Sequence, residues 1–126
     1  MSEQRIPKNT GLRRILRATV YSLQGLRAAW KSEAAFRQEL ILALFLAPVA
    51  FFVGQNATQR VLLLATLFIV VITELLNSAI EATVDRIGSE QHPLAGQAKD
   101  IGSAAVFVSL LLLVVTWGLI VWENAG

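Results

Sequence analysis

Residues 69–88, IVVITELLNSAIEATVDRIG, decide how this chain is read. Most positions are apolar, yet Glu74, Asn77, Glu81 and Asp85 recur at helical spacing. At about 100° per residue, the three carboxylates fall within about 40° of one another, with Asn77 one flank over. A carboxylate at membrane depth costs on the order of 2.5–3.5 kcal/mol. A helix that carries three on one stripe faces something charged. Two readings follow: a metal ion, or a phosphate held by one, and the blander case of Lys or Arg partners from a neighbouring helix that fix assembly.

The rest of the chain supplies the solvent for that stripe. The 126 residues are 55% hydrophobic, with a mean hydropathy of +0.58. A chain this short cannot bury so much apolar surface in its own core, so lipid or partner protomers must cover the remainder. We read it as one integral-membrane domain. There are no cysteines, so neither a disulfide framework nor a thiolate metal site is available. His92, the single histidine, cannot build a zinc site alone. The start, MSEQRIPKNT, has no apolar core of a signal peptide and reads as a frayed tail.

Four helices are expected. Residues 11–31 place Leu12, Ile15, Leu16, Val20, Leu23 and Leu26 mostly on one side, with Arg13, Arg14, Arg17, Arg27 and Lys31 around much of the rest. That pattern is an amphipathic helix lying on a membrane surface, its arginines at the head groups. Ser32 and Glu33 read as an N-cap and restart. Residues 34–53 are the first spanning segment, with Pro48 inside it. GQNATQ at 54–59 is a turn and residues 60–85 the second span. Residues 86–97, with Gly88, Pro93 and Gly96, read as a loop. The third span is 98–122, whose residues 101–122 hold no charge. The fold class is all-α: three transmembrane helices plus an N-terminal surface helix.

Charge sets the topology. With the surface helix and the 86–99 segment on one side, that side holds ten of the eleven Lys and Arg residues and Arg60 is alone on the other. The positive-inside rule makes the basic side, and the N-terminus, cytoplasmic. No aromatic interleaving or binding motif accompanies the basic residues, so a membrane surface rather than nucleic acid is their partner.

Glu74 and Glu81 are two turns apart, roughly 10 Å along the axis, and so have different roles. Glu33 and Glu39 flank the start of the first span, with Arg37 at ion-pair spacing from Glu33. Lys99 and Asp100, followed by Gly102 and Ser103, open the third. Lys99 is either a phosphate-binding point charge or a snorkelling interface lysine. No phosphate loop of the GxxxxGK[ST] type, no GxGxxG and no kinase HRD or DFG motif occurs.

Three segments, GLRAAWKSEAAFRQE (25–39), ELLNSAIEATVDRIGSE (74–90) and AKDIGSAAV (98–106), resemble the prokaryotic diacylglycerol kinase family. The resemblance implies homotrimers in the bacterial inner membrane that transfer the γ-phosphate of ATP to the hydroxyl of diacylglycerol, with Mg²⁺ as cofactor. Carried over by position, it implies that Glu74 is the catalytic base with Asn77 beside it. Glu33 and Glu81 would ligate the metal. Arg14, Tyr21, Glu90, His92, Lys99 and Asp100 would contact the nucleotide. Glu39, Ser103 and Trp117 would lie on the lipid side. The loop departs from the family pattern at Gln91, Pro93 and Gln97. Undecaprenol as acceptor, and a non-enzymatic ion-coupled membrane module, are the alternatives.

Overall fold

A computed structural model describes residues 10–88 and 92–126. It is all-helical there: α1 (Thr10–Ser32), α2 (Ala34–Val53), α3 (Ala57–Ile87) and α4 (Pro93–Ala125). The last three are long and apolar enough to cross a membrane, at 20, 31 and 33 residues. The chain is therefore a multi-pass membrane protein. At 1.5 Å per residue, α2 matches the roughly 30 Å hydrocarbon core. The 31 residues of α3 exceed it, so one end of α3 projects past the apolar layer. Its polar end, from Glu81 to Arg86, is the part that projects once Val61 enters at the other side.

Each helix end has a local cause. Ser32 is the last residue of α1, and its Oγ donates to Ala28 O at 2.9 Å, so it does not cap α2. A single extended residue, Glu33 (φ −121°, ψ 109°), separates α1 from α2 and makes no side-chain cap. Asn56 caps α3, its side chain accepting from Gln59 N at 2.9 Å. Helix α4 begins at Pro93, inside the stretch expected to be a loop. Proline suits a first helical position because its missing N–H has no partner there to lose. His92 completes the start, with Nδ1 accepting from Leu94 N at 3.1 Å.

The packed centre is small. Ala50, Leu63 and Ile120 are buried, with Val53, Leu64 and Trp117 against them. Trp117 Nε1 donates to Thr66 Oγ1 at 3.1 Å, and that hydroxyl donates to Leu63 O at 2.7 Å. Beyond this core, a polar clasp ties three helices at the end far from α1. Asn124 Nδ2 donates to Val53 O at 2.7 Å, and Gln59 Nε2 donates to Asn124 Oδ1 at 3.1 Å. Gly54 is needed at this corner, because a Cβ there would sit 2.6 Å from Arg60 Cγ and 3.0 Å from Ala50 O. Elsewhere Phe45, Phe52, Phe68, Phe107 and Trp122 are exposed. Lipid or other protomers must cover these side chains.

Candidate active site at the α1 end of the bundle

The turn before α2, the start of α4 and the polar end of α3 converge at one end of the molecule. Glu74 is buried at 4% exposure, between three and four turns inside the end of α3. The carboxyl of Glu39, one turn into α2, lies within hydrogen-bond reach of it. Two and three turns outward along the same face of α3 stand Glu81 and Asp85, and their charges are felt by Glu33 at the α1–α2 junction. Burial, and then the negative charges of Glu81 and Asp85, push the Glu33 carboxyl above the ordinary carboxylate range. Lys99 of α4 reaches into the same group. Its Nζ lies 2.6 Å from Asp85 Oδ1, the one ion pair among the described residues. The site thus has an inner pair, Glu39 and Glu74, and an outer group, Glu33, Glu81, Asp85 and Lys99.

Asn77 lies between these layers. Its Oδ1 is buried without a hydrogen-bond partner and abuts Gly102 of α4, where any Cβ would collide with it. Gly102 is therefore a notch that lets α4 close over the amide.

The other expected residues divide. Arg14 and Tyr21 lie exposed on α1. Asp100 and Ser103 are exposed on α4 near the site, and His92 is exposed at its start. Glu90 falls outside the described residues. Trp117 is elsewhere: its partner Thr66 precedes Glu74 by eight residues, about 12 Å of helix. The Glu33–Arg37 pair that the spacing allows does not form. Arg37 Nη1 instead donates to Trp30 O at 2.6 Å and Lys31 O at 3.3 Å. Sequence reasoning misses this role, and no spacing rule signals a side chain that turns back on the preceding helix. A crevice of about 540 Å³ opens between α1 and α3, bordered by Ser22, Gly25, Ala29, Leu75 and Ser78.

No three His, Asp or Glu side chains gather as a closed cation cage among the described residues. Glu33 and Glu81 fit a different kind of site. Mg²⁺ is ordinarily held by one or two carboxylates together with substrate phosphates, and a bound cation would offset the negative charge that Glu81 and Asp85 add at Glu33, a carboxyl raised first by burial.

Helices that cross a membrane, with carboxylates, a lysine and a buried amide converging at one end, define a membrane-embedded protein with a polar site at the edge of the apolar layer. Comparison with known proteins narrows the class. Residues 20–121 match the family model described as prokaryotic diacylglycerol kinase. A diacylglycerol kinase of Escherichia coli is 51% identical over 117 residues, covering 93% of this chain and 96% of its own. One of Pseudomonas aeruginosa is 52% identical over 120 residues, covering 95% and 98%. One of Helicobacter pylori is 44% identical over 112 residues, covering 89% and 88%. The chain belongs to the prokaryotic diacylglycerol kinase family.

Proposed function

We propose that this protein is an ATP-dependent diacylglycerol kinase, transferring the γ-phosphate of ATP to the free hydroxyl of diacylglycerol to give phosphatidic acid. The observation that carries the reading is the two-layer site: a buried carboxylate, Glu74, two turns inside a partly exposed acidic group that also holds a lysine. Family membership supports the same activity.

Phosphoryl transfer needs positioning and charge neutralisation more than covalent help from the protein. Glu33 and Glu81 are the residues that would hold Mg²⁺, which when bound supplies charge neutralisation on the phosphates. Lys99, anchored by Asp85, adds a positive charge at the same level. The outer group thus binds the polyphosphate at the membrane surface. Glu74 sits where a lipid hydroxyl enters from the apolar layer, and accepts its proton as the oxygen attacks the γ-phosphorus. The phosphorus–oxygen bond to ADP breaks as the bond to the lipid oxygen forms. Asn77, between the layers, offers an amide to orient the reacting groups.

The protein works as a homotrimer in the bacterial inner membrane, with its N-terminus and ATP site on the cytosolic side. The small buried core and the large exposed apolar faces support assembly. The segregation of basic residues supports the orientation. The deciding experiment is lipid-dependent ATP turnover in detergent micelles, with diacylglycerol and undecaprenol offered to one preparation. Faster turnover on diacylglycerol, with phosphatidic acid as product, is expected. Faster turnover on undecaprenol would make it a polyprenol kinase, and no lipid-stimulated ATP consumption would remove it from the enzymes.

A further inference from the structure

Arg37 is inside the first turn of α2, four positions after Glu33 and two before Glu39. A guanidinium so close to two carboxylates is expected to pair with one of them. It pairs with neither within 4 Å. Its Nη1 donates to the carbonyl oxygens of Trp30 and Lys31, at 2.6 and 3.3 Å. These belong to the last turn of α1, whose final carbonyls have no partner within the helix. The backbone itself satisfies the carbonyl before them: Glu33 N donates to Ala29 O at 2.9 Å. Arg37 therefore completes the end of α1, and its positive charge suits the negative end of that helix.

The geometry makes this a clamp. Glu33 is the single non-helical residue between α1 and α2, so its carboxyl points wherever the angle between the two helices sends it. Ala29 on one side and Phe36 on the other are buried, at 6% and 1% exposure. They fix the apolar side of the elbow, and Arg37 ties its polar side.

We propose that Arg37 is a positioning residue, its guanidinium clamping the end of α1 so that Glu33 is held facing Glu81. The proposal rests on the reading of Glu33 and Glu81 as cation ligands. It differs from an ordinary helix cap in predicting an effect on the cation, transmitted through Glu33 alone.

Four proteins test it: Arg37→Gln, Arg37→Lys, Glu33→Gln, and the Glu33→Gln/Arg37→Gln double variant. Two quantities are measured on each: Mn²⁺ affinity by electron paramagnetic resonance with a non-hydrolysable ATP analogue present, and the Mg²⁺ concentration for half-maximal turnover. Arg37→Gln should weaken Mn²⁺ binding and raise the half-activating Mg²⁺ by about tenfold, the lower end of what residues orienting a metal ligand are worth. Turnover at saturating Mg²⁺ and the KM for diacylglycerol should hold. Lysine, which lacks the planar fork, should show a smaller shift in the same direction. In the Glu33→Gln background, Arg37→Gln should add nothing. A full additional loss in the double variant would overturn the positioning role while leaving the ligand assignment intact, as would a fall in kcat with Mg²⁺ dependence unmoved. Unchanged cation dependence in Glu33→Gln would overturn the ligand assignment and the proposal with it. Should Arg37→Gln fail to assemble, the lysine variant carries the test, and cation dependence equal to that of the parent protein would overturn the proposal.

Discussion

Lys99 Nζ of α4 meets Asp85 Oδ1 of α3 at 2.6 Å, so the fourth polar residue of the stripe is spent on a lysine rather than held free for a ligand. Both side chains are substantially exposed, at 42% and 65%, and an exposed pair adds little to stability. Its use is to aim the lysine. Asp85→Asn should leave thermal stability nearly unchanged and raise the KM for MgATP several-fold, by loosening Lys99. Lys99→Met should raise it further. A kinetic comparison of the two, with melting curves in the same detergent, checks this. A large stability loss in Asp85→Asn without a change in KM would make the pair structural.

Glu74 and Glu81 should separate by kinetics. Glu74→Gln removes the proposed base, and turnover should fall by about 10²–10⁴-fold with little change in nucleotide affinity. The acid limb of the pH–rate profile should vanish with it. Glu81→Gln should weaken MgATP use and recover in part with raised Mg²⁺ or with Mn²⁺. An intact acid limb with near-normal turnover in Glu74→Gln would mean the buried carboxyl is not the base.

Glu33 makes cation binding depend on pH. Its carboxyl is raised by burial first, then by Glu81 and Asp85, so the folded protein keeps a proton there at pH values where an ordinary carboxylate has lost it. A proton and a cation compete for the same oxygens. The half-activating Mg²⁺ should therefore rise as pH falls through this raised range, and the rise should be blunted in Glu33→Gln. Stability without metal has the opposite sign. The folded state holds more protons than the unfolded one in this window, so the Glu33 contribution declines as pH rises above the ordinary carboxylate range. Melting in EDTA across that interval, for parent and Glu33→Gln, reads it directly.

Gly102 should tolerate no side chain. A Cβ there collides with Asn77 Oδ1, and the amide would have to turn away or α4 lift from α3. Gly102→Ala should lower kcat well beyond its effect on melting temperature, because Asn77 is displaced from between the two layers. Asn77→Ala should relieve the collision, so that the double variant is no worse than Asn77→Ala alone. Activity equal to the parent in Gly102→Ala would show that the amide has room to move.

Much of this protein is legible in the order of its residues. Apolar runs of membrane length, the amphipathic pattern of residues 11–31 and the acidic stripe follow from period and cost. A spanning segment must hydrogen-bond its own backbone, and only a helix does that here. The 3.6-residue period alone then places Glu74, Glu81 and Asp85 on one face. The start of α4 is less visible: Pro93 and Gly96 have the character of loop residues, yet His92 caps a helix that begins at the proline.

What the linear pattern does not carry is which partner each polar group meets. Spacing offers Arg37 to Glu33, and the folded chain gives it to the carbonyls of α1. Spacing leaves Lys99 between phosphate and lipid, and α3 supplies Asp85. The resemblance puts Trp117 on the lipid side, and the helix crossing sets its indole N–H on Thr66. Periodicity is a property of one helix and is written in the order of its residues. Partner choice depends on the rotation and depth of a second helix, set by small-residue notches such as Gly102 and by single-residue breaks such as Glu33, whose effect appears only when helices pack.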